Sequence, residues 1–114
     1  MSGDIHKKTA KQTAAYRCWF NAMLDRVAKS IVASRVERLQ MGLYGDVKSC
    51  GEGVSDIRID FGPGYRVYYT EALDNTILLL LMGGDKSTQK RDIKDAKKML
   101  ADMKRLLAEN KRKT

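Results

Sequence analysis

Two alternating segments joined by a tight turn constrain the fold of this chain more than any other feature. Residues 54–61 and 65–70 alternate, with Ile57, Ile59 and Phe61 on one face of the first segment and Tyr65, Val67 and Tyr69 on one face of the second. This is the period of a β-strand that buries one face. Residues 62–64 between them are Gly-Pro-Gly. Because proline presets φ and glycine permits a positive φ, this tripeptide predicts a turn. The whole stretch therefore predicts an antiparallel β-hairpin.

The second face of this hairpin carries basic side chains. When the apolar positions face the core, Arg58, Arg66 and Tyr68 face the other way, and the two arginines lie on adjacent strands. Two neighbouring guanidiniums repel each other unless an anion or a carboxylate lies between them. A phosphate suits this position, since guanidinium binds its oxygens in bidentate fashion. The alternative is that Asp56 and Asp60 neutralise the arginines as cross-strand ion pairs.

A strongly apolar strand follows the hairpin. Residues 77–82 are apolar without alternation, which predicts a central strand covered on both faces. Gly83 and Gly84 are expected to end this strand, and Lys86 would then leave the sheet close to the arginines. Lys48 approaches from the other end of the sheet region. The residues therefore predict a cationic site of Arg58, Arg66 and Lys86, with Lys48 as a further member.

Helical periodicity marks both ends of the chain. After a short strand at residues 4–9, residues 10–24 and 26–41 predict an αα-hairpin. The last helix is expected to begin at Ser87 as its N-cap and to bury an apolar stripe that ends with Leu107. The predicted order is β-α-α-β-β-β-β-α, an α+β domain with a largely antiparallel sheet packed by helices.

Positive charge is concentrated in the last quarter of the chain. The net charge is +8, and residues 86–114 hold eleven Lys or Arg against four Asp or Glu. A basic field of this kind favours RNA, DNA, the ribosome or an acidic protein as a partner. The alternative is a solvated helix face that keeps a small domain soluble. At 114 residues the chain predicts one domain, with a core at about residues 4–108 and a basic, disordered tail at 109–114.

The residue types exclude several kinds of active site. The single histidine, His6, excludes a pair of histidines as acid and base. Asp85 and Asp92 are too few for a Mg²⁺ site, and no glycine-rich phosphate loop occurs, so chemistry without metal or cofactor is expected. A nuclease of this composition would move protons with Lys or Tyr and stabilise the charged transition state with Arg.

The chain is expected to be cytoplasmic. Residues 1–9 lack the apolar core of a signal peptide, and the longest apolar run is too short to span a bilayer, so no membrane partner is expected. Cys18 and Cys50 fall in different predicted elements without metal-ligand spacing. Both are expected to be reduced residues that pack in the core.

Four short phrases stand in a fixed order along the middle of the chain. They are LYGDVK at 43–48, GEGVSDIRI at 51–59, GPGYRVYY at 62–69 and GGDKSTQ at 83–89, and they are followed by Asp92, Ile93 and Ala96. Each phrase is weak alone. The ordered series, over roughly residues 13–105, resembles the RelE/ParE superfamily of type II toxin–antitoxin toxins. Within that superfamily it is similar to the HigB-like, phage-derived addiction module killer proteins.

The resemblance implies a fold and an activity. The fold is RelE-like: two N-terminal helices packed on an antiparallel sheet, with a C-terminal helix. The partner is an antitoxin from an adjacent gene, often a helix-turn-helix protein, which neutralises the toxin in a hetero-oligomer and represses the operon. The activity is metal-independent mRNA cleavage on the translating ribosome. The 2′-hydroxyl attacks its own phosphodiester and leaves a cyclic phosphate and a 5′-hydroxyl.

The resemblance also implies roles for individual residues. Arg58 and Arg66 would stabilise the phosphate, while Tyr68 would orient or stack the base. Lys48 and Lys86 would be candidates for proton transfer. Some HigB-type proteins use histidines near the last strand, but this chain has none there, so the identities of acid and base stay open. The basic last helix would hold ribosomal RNA through Lys90, Arg91, Lys94, Lys97 and Lys98.

Two other functions remain open. ParE-like members share the fold and poison DNA gyrase without nuclease activity. A third possibility is an inactive module that only binds RNA or the antitoxin. A ribonuclease would require Arg58, Arg66 and Lys86 for toxicity, whereas a gyrase poison would depend on surface and terminal residues and would induce a DNA-damage response.

Overall fold

A five-stranded mixed β-sheet lies between two helical layers. The computed structural model describes residues 7–113. The elements in chain order are β1 (Thr9–Gln12), α1 (Ala14–Ala22), α2 (Arg26–Gln40), β2 (Val47–Gly51), β3 (Val54–Ile59), β4 (Tyr65–Thr70), β5 (Ile77–Asp85), a 3₁₀ turn (Lys86–Thr88) and α3 (Gln89–Lys113). The chain is thus an α+β protein with a C-terminal helix, as its periodicity predicts. Of the helices described, none is both long and apolar enough to cross a membrane.

The strands lie in the order β1-β5-β4-β3-β2. β1 pairs with β5 in parallel, while the other neighbouring strands pair antiparallel. The predicted hairpin is confirmed as β3 and β4, and its register places Arg58 directly opposite Arg66. In the next step across the sheet, Arg66 lies opposite Gly84 of β5.

The two faces of the sheet bury different kinds of residue. One face is covered by the helical hairpin of α1 and α2, and we call it the hairpin face. There Ile57, Val67 and Leu80 pack against Tyr16 of α1 and Val32 of α2. On the other face, which we call the α3 face, a smaller apolar cluster joins the sheet to the last helix. Its fully buried members are Val54, Tyr68, Leu81, Ala96 and Leu100.

The first strand lies later in the chain than its sequence predicts. Residues 4–6 lie outside the described residues, and β1 begins at Thr9, where it pairs with Ile77 of β5. Pairing with a buried strand overrides the helical periodicity of these residues. The helix therefore starts at Ala14, after Thr13, whose hydroxyl accepts the Tyr16 N–H as an N-cap. With this start Cys18 lies on the exposed side of α1, so its predicted packing role is wrong.

The prediction that Gly83 and Gly84 end the fifth strand is also wrong. β5 continues through both glycines to Asp85. A Cβ atom at Gly83 would overlap the indole of Trp19, and a Cβ atom at Gly84 would overlap the carboxylate of Asp92. These glycines therefore serve the close approach of a side chain on each face of the sheet, not a break in the strand.

The last helix differs from its prediction at both ends. Asp85, not Ser87, caps the 3₁₀ turn that leads into α3, and its carboxylate accepts the Ser87 N–H at 2.8 Å. At the other end, the tail predicted to be disordered from residue 109 is helical through Lys113. Leu107, expected at the end of the buried stripe, is 47% exposed and lines an open groove beside Gln12 of β1 and Leu79 of β5.

Candidate functional site

A cavity of about 220 Å³ opens at the end of the sheet where β3 ends, β4 begins and β5 leaves. We call it the cationic cavity. It brings together the three strongest sequence candidates, Arg58, Arg66 and Lys86. The remaining lining residues are Asp46, Asp60 and Gly64.

The backbone fixes the positions of the three cations. Arg58 and Arg66 are cross-strand partners in the β3–β4 hairpin, so their side chains leave the sheet on the same face. Gly64 closes the turn with a φ of +82°, a conformation that suits glycine. The Lys86 N–H donates to the Gly64 carbonyl at 2.8 Å, which ties the exit of β5 to the hairpin turn. Lys86 is thereby held beside the arginines.

Arg66 is the least compensated charge of the site. Its residue is only 8% exposed, yet among residues 7–113 no carboxylate lies within 4 Å of its guanidinium. Nη1 donates to the carbonyls of Gly64 at 3.3 Å and Tyr65 at 3.1 Å, while Nε has no hydrogen-bond partner there. A charge removed from water is costly unless it is paired. The environment of Arg66 therefore favours an anion in the cavity.

Arg58 is partly neutralised, as one of the two interpretations of the sequence allows. Its Nε lies 3.5 Å from Oδ1 of Asp56, two positions earlier on the same strand face. Asp56 is fully buried, and its Oδ2 accepts from Gln89 Nε2 at 3.4 Å. The predicted carboxylate partner is thus found for Arg58 within its own strand, not for Arg66 across the hairpin.

Tyr68 lies beneath α3 and not at a surface. The residue is fully buried, and its hydroxyl has no hydrogen-bond partner in the described part of the chain. Burial raises the pKa of Tyr68 strongly, and the nearby carboxylates of Asp92 and Asp56 raise it further. The phenol therefore stays protonated, and a base cannot stack on the ring unless α3 moves away.

Lys48 lies beside the cavity and does not line it. It stands on the edge strand β2, directly opposite Asp56 of β3, and its side chain is exposed. Asp56 shares its sheet face with Arg58, so Lys48 lies on the α3 face as well. Lys48 thus shares a sheet face with Arg58 and Arg66 but does not belong to the cavity that they line.

The basic residues of α3 form two groups. Lys90, Arg91 and Lys94 line a shallow cavity of about 440 Å³ together with the hydroxyl residues Ser87 and Thr88. Lys97 lies 4.0 Å from Glu52, and Lys98 lies 3.5 Å from Asp102. In the first group only Arg91 has an acidic neighbour among the described residues, since its Nε lies 4.0 Å from Oδ1 of Asp92, whereas both lysines of the second group are partly compensated.

Comparison with known proteins finds one strong relative. An uncharacterized protein of Haemophilus influenzae is 44% identical over 87 residues, which make up 76% of this chain and 87% of that protein. The chain belongs to the family of this Haemophilus protein. No protein-family model matches the chain, and no solved structure matches it.

Several residues of the site escape a reading of the sequence. Arg35 of α2 donates from Nη1 to the Arg58 carbonyl at 3.0 Å and from Nη2 to the Asp46 carbonyl at 3.4 Å. It thereby braces the strand that carries Arg58. Asp92 of α3 lies over Gly84 and accepts from the Thr88 hydroxyl at 2.5 Å. Local periodicity shows which side of a helix is apolar, but it does not show which strand residue a polar helix side chain will contact.

Two further predictions concern the single histidine and the lack of a metal site. His6 lies outside the described residues. Within the described range, no group of three or more His, Cys, Asp or Glu side chains is placed to hold a metal ion. Asp46 and Asp60 line the cationic cavity and form no ion pair within that range.

Proposed function

We propose that this chain is the toxin of a type II toxin–antitoxin module, in the HigB-like branch of the RelE/ParE superfamily. Its activity would be metal-independent, ribosome-dependent endonucleolytic cleavage of mRNA in the cytoplasm. The observation that carries this proposal is the cationic cavity, in which the buried Arg66 lacks a carboxylate partner among the described residues. The ordered phrases that resemble the superfamily support the choice of an RNA substrate.

The cavity offers what phosphodiester cleavage needs most, a stable place for developing negative charge. When the 2′-hydroxyl attacks the adjacent phosphorus, the phosphate passes through a state with additional charge on its oxygens. Arg66 and Arg58 lie side by side and can bind these oxygens in bidentate fashion. Arg66 would contribute more, because Arg58 already lies 3.5 Å from Asp56.

The reaction also needs a base for the 2′-hydroxyl and an acid for the departing 5′-oxygen. Lys86 lines the cavity and can donate a proton to the leaving oxygen, while Lys48 is a more distant second candidate. The carboxylates of Asp60 and Asp46 line the same cavity and are candidates for the base. Tyr68 does not fit either role, since its buried phenol has no path to substrate.

The remaining surface fits the partners that such a toxin requires. The basic first turns of α3, with Lys90, Arg91 and Lys94, lie next in sequence to Lys86 and would hold ribosomal RNA, with Lys97 and Lys98 further along the helix. The helical hairpin, the sheet and the C-terminal helix are compatible with a RelE-like fold. Neutralisation by a helix-turn-helix antitoxin in a hetero-oligomer is part of this proposal.

Inducible expression in bacteria tests the proposal directly. The native chain should arrest growth and produce new, in-frame mRNA ends by primer extension on several transcripts. Arg66→Ala should lower cleavage by about 100-fold or more, since it removes the least compensated charge of the site. Arg105→Ala is the matched control, because it removes the same charge from an exposed position far along α3. Circular dichroism melts of both variants establish that they fold.

Each alternative function predicts a different result. Growth arrest with intact mRNA and a DNA-damage response would replace the ribonuclease with a gyrase poison. Normal growth with a folded, expressed chain would indicate a module that only binds RNA or its antitoxin. Equal cleavage by the Arg66→Ala and Arg105→Ala variants would move the active site away from the cationic cavity.

A further inference from the structure

A second cavity, of about 450 Å³, opens at the same end of the sheet on the hairpin face. We call it the aromatic cavity. It lies between α1, the α1–α2 connection and the first residue of β4. Its lining residues are Trp19, Ala22, Met23, Leu24, Asp25 and Tyr65.

Two aromatic rings form the floor of this cavity. Trp19 and Tyr65 meet edge to face, with their ring centroids 6.3 Å apart and their planes at 68°. Trp19 rests on Gly83, where the missing side chain lets the indole approach the strand. Both rings are only half-buried. One side of each ring packs against the core of the hairpin face, and the other side is left open to the cavity.

The aromatic cavity and the cationic cavity share a boundary. Tyr65 lines the first and the next residue, Arg66, lines the second, because successive side chains of β4 leave opposite faces. Gly64 lines the cationic cavity, and the Lys86 N–H binds its carbonyl at this same turn. An RNA strand with one phosphate on the arginines would therefore reach the aromatic rings where it passes the end of the β-sheet.

We propose that the aromatic cavity binds an unstacked nucleobase of the RNA strand whose phosphate occupies the cationic cavity. This inference rests on the proposed function for its ligand class. Single-stranded RNA is recognised by stacking of its bases on aromatic rings and by hydrogen bonds to base edges. Asp25 supplies such an edge contact, since Oδ1 caps α2 while Oδ2 accepts no hydrogen bond from residues 7–113. Its carboxylate favours base N–H groups and repels phosphate.

The tryptophan at this site makes a direct test possible. The chain has one Trp, so its fluorescence reports on Trp19 alone. The probes are a tetraribonucleotide with 2′-O-methyl groups, which cannot be cleaved, the same oligonucleotide without bases, and inorganic phosphate. We expect the complete oligonucleotide, titrated to millimolar concentration, to quench the fluorescence. The oligonucleotide without bases and inorganic phosphate should not.

A substitution then separates stacking from phosphate binding. In fluorescence anisotropy with labelled oligonucleotides, Tyr65→Ala should weaken binding of the complete oligonucleotide by about 10-fold and leave binding of the oligonucleotide without bases unchanged. Leu73→Ser, which changes an exposed apolar residue elsewhere, is the matched control and should have no effect. If Tyr65→Ala is poorly folded, the comparison of the two oligonucleotides on the native chain still decides the question.

The outcomes keep this inference distinct from the proposed function. Equal binding of both oligonucleotides, or no quenching by either, overturns the aromatic cavity as a base site, even if mRNA is cleaved in cells. Base-dependent quenching without mRNA cleavage supports the base site and removes the nuclease. Quenching by inorganic phosphate alone would mean that Trp19 senses the cationic cavity, and would also overturn the inference.

Discussion

The two faces of the sheet differ in how many of their buried polar atoms have hydrogen-bond partners among the described residues. On the hairpin face, buried apolar residues from the helices and the strands form one continuous core. On the α3 face, a smaller apolar cluster gives way to buried polar atoms without hydrogen-bond partners among residues 7–113. These atoms are Asp56 Oδ1, Arg58 Nε, Arg66 Nε and Tyr68 OH. The comparison indicates that the hairpin face supplies stability, whereas the α3 face gives up part of its stability to hold charged groups near the cavity.

The largest effect is expected in the core of the hairpin face. Leu80 is 1% exposed, and Leu80→Ala should lower the free energy of unfolding by about 2–5 kcal/mol through lost burial and a new cavity. Lys86→Ala, an exposed change on the α3 face, should alter it by less than about 0.5 kcal/mol. Urea denaturation of the two variants measures both values. A similar loss of unfolding free energy in both variants would contradict the inference that the hairpin face supplies most of the stability.

The paired glycines of β5 provide a closer comparison. A Cβ at Gly83 meets the rigid indole of Trp19, while a Cβ at Gly84 meets the end of the Asp92 side chain, which can rotate. Gly83→Ala should therefore cost about 1–3 kcal/mol of stability, and Gly84→Ala clearly less. Thermal unfolding measured side by side gives the order. If Gly84→Ala is the more harmful change, then the contact between Asp92 and Thr88 stabilises the fold more than the tryptophan packing does.

Short-range pattern predicted the parts of the fold that depend on local chemistry. The β3–β4 hairpin follows from alternation and from the Gly-Pro-Gly turn, and its register alone sets Arg58 against Arg66. The position of Lys86 is predictable as well, because it comes directly after β5, the strand that pairs with β4. Local chemistry is therefore sufficient to predict these three residues as a cluster.

Long-range contacts determined what the sequence could not predict. Gly83 and Gly84 are expected to break the strand because a glycine pair usually does so, but Trp19, which is distant in sequence, packs on Gly83, and Asp92, from the helix that follows the strand, packs on Gly84. Alternation predicts only which face of the strand Tyr68 occupies, and it does not show that α3 covers that face. The cap at Asp85 was missed because Ser87 is an equally suitable capping residue on local grounds.

A change of opposite sign is expected at Tyr68. Its hydroxyl is buried without a partner in the described chain, so Tyr68→Phe removes an unsatisfied group and keeps the ring. We expect a gain in stability of about 1 kcal/mol. Tyr68→Ala, which empties the site, should instead destabilise the chain by about 3–5 kcal/mol. A loss of stability in Tyr68→Phe would indicate that the hydroxyl has a partner, such as a buried water.

A smaller effect concerns the basic start of α3. Arg91 has a side chain that is 72% exposed, and it lines the shallow cavity with Lys90 and Lys94. If Arg91 contacts a phosphate, Arg91→Ala should reduce the slope of log affinity against log salt by about 0.7 for single-stranded RNA. Fluorescence anisotropy over a salt series measures this slope. Arg105→Ala should leave the slope unchanged, and equal slopes for both variants would remove Arg91 from the RNA contact.

The smallest effect is electrostatic and involves the cap that joins β5 to α3. The Ser87 hydroxyl, which donates to Asp85 Oδ1 at 2.5 Å, holds the pKa of Asp85 below its ordinary value of 3.8, and the Ser87 N–H acts in the same direction. Because the folded-state pKa is lowered, the stabilisation is fully present above 3.8 and is lost as the pH falls through the lower folded value. Asp85→Asn keeps a capping residue and removes the charge, so it should cost about 0.3 kcal/mol at pH 7.

The pH dependence of the stability difference between the native chain and Asp85→Asn shows whether the charge of Asp85 causes it. Urea denaturation at pH 7 and again at pH 2–3 should show the native chain and Asp85→Asn converging at the acid end, since both then carry a neutral cap. Ser87→Ala removes the hydroxyl that lowers the pKa most, so the acid-dependent part should shrink in that variant. A difference between native and Asp85→Asn that stays constant across the pH range would mean that Asp85 acts through its shape and hydrogen bonds and not through its charge. The exit of β5, and with it Lys86, would then be positioned by geometry alone.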